Sequence, residues 1–183
     1  VFFCNKDIGL RCLRNKFEKK LLLKIKIVAV FTKVDDVNII NFCKKNRILV
    51  LFDLKKILMF KNLDIGISVQ YHIIFKKKII SKFKYNLINL HMGPLPEYRG
   101  CNQFTYAIIN EETEFGTTIH IINEHIDSGP ILFQKRFKIN KKIWLKELYI
   151  LTCKYSFDLF KRSIKSLILQ KFLIQSQKLN TNK

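Results

Sequence analysis

The segment NLHMGPLPEYRGCNQFTYAIINEETEFGTTIHIINEHIDSGPILFQ, residues 89–134, holds four of the six glycines and all three prolines of this chain, together with many polar residues, in one quarter of its length. Its six acidic side chains accompany one cation, Arg99, for a net charge of −5, whereas the whole chain of 183 residues carries +20. Because this polar segment begins at the end of a predicted strand, it indicates where the chemistry of the protein lies.

The basic residues are mostly lysines, 28 against 6 arginines, and they are spread over residues 1–88 and 135–183. They interrupt nearly every predicted helix and form no continuous stripe, which argues against nucleic acid or an anionic membrane as a partner. We interpret them as solvated side chains on most faces of the protein.

The five cysteines are odd in number and contain no CxxC pair, so neither a disulfide framework nor a zinc site is indicated. No apolar run approaches the roughly 18 residues of a membrane span. We therefore expect a protein of a reducing compartment, located in the cytoplasm.

Residues 1–88 alternate short apolar runs with amphipathic segments, as βαβ units of a mostly parallel sheet do. Strands are predicted at 1–5, 25–32, 48–52, 64–70 and 86–91, and helices at 8–22, 35–45, 53–61 and 76–83. Asp7 is expected to cap the first helix, and Val37, Ile40 and Cys43 to form the buried stripe of the second. The length favours a single domain.

Further along, a helix is predicted over Gln103 to Ile109 and a mixed or antiparallel edge from strands at 116–122 and 130–139. Apolar residues at helical spacing predict one long amphipathic helix, or two consecutive helices, from Ile143 to about Leu169. The apolar positions of this segment are Trp144, Leu148, Leu151, Tyr155, Leu159, Ile164 and Ile168. The first strand lacks a following GxGxxG, which disfavours a dinucleotide cofactor.

Asn89 and His91 are two residues apart on a predicted strand, so their side chains share a face. An asparagine can donate a hydrogen bond to a developing oxyanion, and a histidine can take a proton near neutral pH. The alternative is that His91 ends the strand and Asn89 bonds to backbone.

Asp127 lies in a turn-like HIDSGP sequence and is either an ordinary turn aspartate or a third member of this site. His120, Glu124 and His125 do not indicate a metal site, because His120 falls inside a strand and no third ligand is suitably spaced. No metal is expected.

Arg99 belongs to a loop made rigid by Pro94 and Pro96. It either holds a carboxylate such as Glu97 or Glu111, or binds a phosphate of the substrate.

Four ordered motifs carry a resemblance to a known family: NLH at 89–91, PLPEYRG at 94–100, FGTTIH at 115–120 and IDSGPI at 126–131. Together they resemble the folate-dependent formyltransferases, which share a Rossmann-like catalytic domain with a mostly parallel central sheet flanked by helices. The resemblance implies transfer of a formyl group from 10-formyltetrahydrofolate to a primary amine, with a catalytic triad of Asn89, His91 and Asp127.

The same resemblance implies two sets of binding residues. The pterin would be held at Val69, Gln70, Tyr71, His72, Asn123, Glu124, His125 and Ile126. The amine-bearing substrate would be lined by Met92, Gly93, Pro94, Tyr98, Arg99, Cys101, Asn102 and Gln103.

The stretch HMGPLPEYRGCNQFTYAI, residues 91–108, is most similar to the branch that acts on dTDP-linked 3-amino or 4-amino dideoxy sugars for polysaccharide synthesis. That branch implies a homodimer and a further C-terminal dimerisation and nucleotide-binding segment, which we expect to be missing here. The alternatives are formylation of methionyl-tRNA or another amine, and a non-catalytic basic binding protein on the same fold.

Overall fold

The computed structural model describes residues 1–18 and 25–177 and contains two compact units, Val1–Asn89 and Leu90–Lys183. It confirms the predicted α/β class, a mostly parallel sheet of seven strands with flanking helices. No helix in these described ranges is long and apolar enough to cross a membrane.

The first unit builds the parallel part of the sheet. Its elements are β1 (Phe2–Cys4), α1 (Lys6–Glu18), β2 (Val30–Phe31), α2 (Val37–Lys45), β3 (Val50–Leu51), a 3-10 helix (Leu54–Met59), β4 (Leu63–Val69), α3 (Lys77–Ile80) and β5 (Phe83–His91), which continues into the second unit. β1 pairs in parallel with β2 and β4, and β2 pairs in parallel with β3. The strand order is β3-β2-β1-β4-β5.

Several local predictions for this unit need correction. α1 begins at Lys6, so Asp7 lies within its first turn and does not cap it; the predicted end of this helix near Leu22 lies outside the described residues. In α2 the buried residues are Ile39 and Cys43, whereas Val37 is 58% exposed. The buried stripe of α2 is therefore formed by Ile39 and Cys43, four residues apart, and not by Val37, because Val37 is the first helical residue and points to solvent.

The core of the first unit is aromatic. Phe3 on β1 is fully buried, and its ring stacks on Phe31 with centroids 5.0 Å apart and meets Phe75 edge to face at 4.8 Å. Bulky rings fill the space between sheet and helices, and so explain how a chain rich in phenylalanine forms a dense core.

The second unit contains α4 (Gln103–Ile109), β6 (Glu114–Ile121), β7 (Ile131–Lys138) and α5 (Leu145–Ile168). β6 and β7 are antiparallel and follow β5 in the sheet, which confirms the predicted antiparallel edge. Phe115 and Leu148 are fully buried in its core, between β6 and α5.

α5 is one continuous helix, and its buried face matches the predicted one only in part, at Leu148 and Ile164. Thr152 and Ser156 are fully buried beside Leu148 and Phe160, whereas the predicted Trp144 is 77% exposed. The buried hydroxyls are satisfied, because Thr152 Oγ1 donates to Leu148 O at 2.7 Å and Ser156 Oγ donates to Thr117 Oγ1 on β6 at 2.8 Å. Small polar residues let the helix lie close to the sheet.

The aromatic core generates a stability prediction. Phe3→Ala should lower the free energy of unfolding by about 3–5 kcal/mol, because it removes a fully buried ring and leaves a cavity. Phe52→Ala is the control, since Phe52 is 46% exposed, and it should change stability much less. Urea denaturation followed by circular dichroism measures both, and equal losses would contradict this account of the core.

Candidate active site

The carboxylate of Asp127 lies between two histidines in the second unit. Its Oδ2 is 3.4 Å from Nδ1 of His91, and its Oδ1 is 3.3 Å from Nε2 of His120. The backbone N–H of Gly100 donates to Oδ2 at 3.0 Å. Both oxygens of a largely buried carboxylate are therefore held by protein groups.

This environment controls the ionisation of Asp127. Burial alone would raise the pKa of its carboxyl, but the hydrogen bond from His120, the charges of His91 and His120 and the Gly100 N–H lower the pKa to about 2. Asp127 is therefore an anion throughout the neutral range.

His91 lies at the end of β5 and is 6% exposed. Its Nε2 donates to the backbone carbonyl of Tyr98 at 2.6 Å, so the neutral ring carries its lone pair on Nδ1, beside Asp127. Burial lowers the pKa of His91, and Asp127 and the Tyr98 carbonyl oppose that shift. His91 is thus a neutral proton acceptor at pH 7, next to an anion that stabilises its protonated form.

Buried hydroxyl groups on the neighbouring strand β6 hold the end of β5 in position. Thr117 Oγ1 donates to the carbonyl of His91 at 2.9 Å and itself accepts from Ser156 of α5. Thr118 Oγ1 donates to the carbonyl of Gly93 at 2.9 Å and accepts from the N–H of Leu95 at 3.2 Å. β6 therefore anchors both His91 and the proline loop that follows it.

Asn89, the other predicted catalytic residue, lies two residues before His91 on β5 and is partly buried. It is the last residue of the first unit. Strand alternation places its side chain on the same face of β5 as that of His91.

The predicted substrate residues differ in accessibility. Met92, Gly93, Pro94 and Gln103 are buried, and Gln103 Nε2 donates to the Met92 carbonyl at 3.4 Å. Tyr98 is half-buried, and its hydroxyl donates to Glu112 at 2.8 Å. Cys101 and Asn102 are exposed at the start of α4, where Asn102 has a positive φ of 62°.

Arg99 does not pair with either predicted carboxylate. Its Nε and Nη2 donate to Oε1 of Gln177 at 2.9 and 2.6 Å. Glu97 accepts instead from Arg136 of β7 at 2.6 Å, and Glu111 is 3.9 Å from Lys141. The expectation of an internal acidic partner is therefore wrong, because β7 and the turn after it supply cations that occupy those acids.

The two predicted pterin segments lie in different units. At the end of β4, Val69 is buried, Gln70 has a φ of 55° and His72 is exposed, with Nδ1 3.2 Å from Asn5 Oδ1. The Tyr71 hydroxyl is buried and has no hydrogen-bond partner among residues 1–18 and 25–177, and burial and the charge of Asp53 raise the pKa of Tyr71 to about 12.

The second pterin segment precedes Asp127 and is shaped by Asn123. Its Oδ1 accepts from the His125 N–H at 3.1 Å and from Ser128 Oγ at 2.9 Å, which curls the loop back on itself. Glu124, His125 and Ile126 are exposed on this loop. Among the described residues, no group of three histidine, cysteine or acidic side chains is arranged to hold a metal ion.

Comparison with known proteins identifies the family. A model of the N-terminal domain of formyl transferases matches residues 27–152. The chain belongs to the formyl transferase family. The chain aligns with methionyl-tRNA formyltransferase of Thermodesulfovibrio yellowstonii at 44% identity over 43% of its length, and with the bifunctional polymyxin resistance protein ArnA of Wigglesworthia glossinidia brevipalpis at 31% over 90%.

Each of those two alignments covers 26% of the relative, and an alignment with methionyl-tRNA formyltransferase of Clostridium acetobutylicum covers 47%, so the matches span less than half the length of these curated relatives. A solved structure of the N-formyltransferase of Helicobacter canadensis, in complex with folinic acid and dTDP-3-aminofucose, superimposes with a TM-score of 0.84 at 26% identity. That match covers 100% of this formyl transferase and 68% of the other chain.

Sequence reasoning missed three residues that the structure brings to the site. His120 was considered only as a metal ligand, although its position on a strand next to the HIDSGP turn was a usable signal. Thr117, also on β6, donates a hydrogen bond to the backbone carbonyl of His91. Gln177 carried no signal, because it lies 50 residues after Asp127 in an otherwise featureless polar segment.

The low pKa of Asp127 predicts how stability depends on pH. Since folding lowers this pKa from 3.8 to about 2, Asp127 stabilises the folded state above pH 4, and that contribution is lost as the pH falls to 2. Between pH 5 and pH 2 the wild type should lose about 2 kcal/mol more stability than Asp127→Asn. Urea titrations at each pH measure this, with Asp35→Asn, an exposed carboxyl, as the control. Parallel pH curves for wild type and Asp127→Asn would disprove the assignment.

Proposed function

We propose that this chain transfers a formyl group from 10-formyltetrahydrofolate to the primary amine of a dTDP-linked amino dideoxy sugar. The observation that supports the proposal most directly is the contact of His91 Nδ1 with the Asp127 carboxylate at the end of β5. A neutral base beside a permanent anion is the arrangement that removal of a proton from an attacking amine requires.

His91 accepts that proton at Nδ1 as the amine nitrogen bonds to the formyl carbon. Asp127 then stabilises the imidazolium, and its anionic charge is available because its pKa is about 2. The Tyr98 carbonyl holds the other ring nitrogen and so fixes the orientation of the imidazole. Protonated His91 returns the proton to the departing nitrogen of the folate, which balances the reaction.

Asn89 donates a hydrogen bond to the oxygen of the formyl group, where negative charge develops. Its place on the face of β5 that also bears His91 supports this role.

The formyl carbon is supplied by 10-formyltetrahydrofolate, and the residues at 69–72 and 123–126 are the ones we propose to hold it. The buried hydroxyl of Tyr71, which has no partner in the described part of the chain, fits this assignment, because leaving such a group unpaired is costly and the polar edge of a pterin can satisfy it. The loop at 123–126 adds the exposed residues Glu124, His125 and Ile126 to the set.

The sugar substrate is supported by the structural neighbour from Helicobacter canadensis, whose complex contains both folinic acid and dTDP-3-aminofucose. Cys101 and Asn102 are the exposed members of the predicted substrate set, and Tyr98 and Arg99 are half-buried. The proposal includes a cytoplasmic reaction in polysaccharide synthesis, with which five cysteines outside any disulfide are consistent, and a homodimer as the assembly.

Methionyl-tRNA is the second candidate acceptor. It is favoured by the curated relatives that are methionyl-tRNA formyltransferases and by the charge of +20, which suits a polyanionic substrate.

The catalytic roles predict the effects of two substitutions. His91→Ala should lower kcat by about 10²- to 10⁴-fold, since it removes the base, and Asn89→Ala by about 10²- to 10³-fold, since it removes a donor to the oxyanion. Asn38→Ala, an exposed change on α2, should have no effect. Release of tetrahydrofolate from 10-formyltetrahydrofolate, recorded with a dTDP-3-amino or dTDP-4-amino sugar, measures these rates. Full activity of His91→Ala would exclude the proposed base.

The identity of the acceptor is tested by parallel assays. We expect kcat/KM for a dTDP-amino sugar to exceed that for methionyl-tRNA by at least about tenfold at 0.15 M salt, where long-range attraction of RNA to dispersed lysines is screened. The reverse ranking would establish the tRNA alternative. Release with neither acceptor, together with salt-sensitive RNA binding, would favour a non-catalytic binding protein.

A further inference from the structure

The side chain of Gln177 joins the two loops that surround Asp127. Its Nε2 donates to the backbone carbonyl of Asp127 at 2.9 Å and to that of Gly129 at 2.7 Å. Its Oε1 accepts both bonds from Arg99. Two donor hydrogens and the acceptor oxygen are all used, so the carboxamide has one defined orientation.

The loop that Gln177 contacts has an unfavourable backbone. Asp127 has a φ of 46°, in the left-handed region that residues other than glycine seldom adopt. At Gly129 there is no room for a side chain, because a Cβ would lie 1.9 Å from the Ile121 carbonyl oxygen. A conformation of this kind persists only where surrounding contacts hold it, and the two bonds from Gln177 lie at the Asp127 carbonyl and two residues beyond it.

Arg99 extends the same connection to the proline loop. The next residue, Gly100, donates its N–H to the Asp127 carboxylate. The loop at 94–100 therefore contacts the side chain of Asp127 directly and the backbone of Asp127 indirectly, by way of Arg99 and Gln177. The partner of the Arg99 guanidinium is a neutral amide, so this contact does not bring a second carboxylate close to Asp127.

The chain segment after α5 places Gln177 by backbone pairing. Ile131 N donates to Gln175 O at 2.8 Å, and Gln175 N donates to Ile131 O at 2.9 Å. This antiparallel bridge at the start of β7 fixes the course of the segment two residues before Gln177. The contact to Asp127 is therefore built on sheet pairing and does not depend on a free tail.

We propose that Gln177 is a positioning residue for Asp127: by donating to the carbonyls of Asp127 and Gly129 it keeps the carboxylate in contact with His91. This inference rests on the proposed function, because it assigns Gln177 a part in the same proton transfer. Gln177 contacts neither substrate in this account and acts through the loop alone.

Two substitutions separate this role from simple packing. Gln177→Leu keeps the size of the side chain and removes every hydrogen bond. Gln177→Glu keeps the acceptor for Arg99 and removes both N–H donors to the loop. If the donors are what matters, both variants should lower kcat by about 10- to 100-fold, with KM for 10-formyltetrahydrofolate changed less than twofold. Gln175→Leu is the matched control, since the side chain of Gln175 is exposed and its pairing is through the backbone, and it should retain full activity.

The pH profile gives a readout that loss of packing would not change. His91 is faced by Asp127, by His120 and by the Tyr98 carbonyl, and of these Asp127 and the carbonyl raise its pKa. A displaced Asp127 lets the pKa of His91 fall further, so the acid limb of kcat against pH should move to lower pH in Gln177→Leu, which introduces no charge. Wild-type activity in Gln177→Glu or a wild-type pH profile in Gln177→Leu would overturn the proposal, as would a loss of kcat that a fall in melting temperature accounts for.

Amide hydrogen exchange over residues 123–130 distinguishes failure of this inference from failure of the proposed function. In both variants these amides should exchange at least about tenfold faster than in the wild type, at a temperature well below unfolding. Unchanged exchange rejects the positioning role even where the wild type turns over. A wild type without turnover, combined with faster exchange in the variants, supports the contact of Gln177 with the Asp127 loop and rejects the proposed reaction. If Gln177→Leu does not fold, Gln177→Met takes its place with the same expected results.

Discussion

The contact between the Asp127 carboxylate and His91 is the interaction on which the rest of the site depends. Burial alone would make His91 a weaker base, and the neighbouring anion limits that loss while keeping the ring away from bulk water. The anion is itself buried, and it stays ionised because His120 and the Gly100 N–H hold its oxygens. The ionisation states on which the site depends are therefore set by electrostatic interactions among the buried groups of His91, Asp127 and His120.

That arrangement requires a rigid frame, and buried polar contacts provide it. Ser156 of α5 donates to Thr117, which donates to the carbonyl of His91, so a helix face, a strand and the candidate base are joined by two hydrogen bonds. Glu97, held by Arg136 on β7, shows how the acids of the polar segment are used to connect loops and strands.

Much of the fold followed from local pattern. The helix at Gln103 to Ile109 was predicted with its observed bounds, and β6 and β7 were predicted to within two residues at each end, because turn residues border them. The short strands β2 and β3 were predicted too long, since apolar runs continue beyond the residues that pair. The buried face of α5 was predicted only in part: Leu148 and Ile164 are buried as expected, but Thr152 and Ser156 were not predicted, because they are polar by composition and are buried with hydrogen-bond partners on α5 itself and on β6, respectively.

The sequence by itself determined the α/β class and the family. It also predicted the triad of Asn89, His91 and Asp127 from ordered motifs, and that triad stays a prediction about catalysis. The α/β class follows from local pattern, because strand alternation and turn chemistry act over a few residues, whereas the triad and the family follow from the resemblance of four ordered motifs. Only the tertiary structure decided the partners: His120 beside Asp127, Gln177 on its loop, and Arg99 with an amide in place of an acid. These contacts join residues that chain topology brings together, and geometry, not composition, selects among donors of similar chemistry.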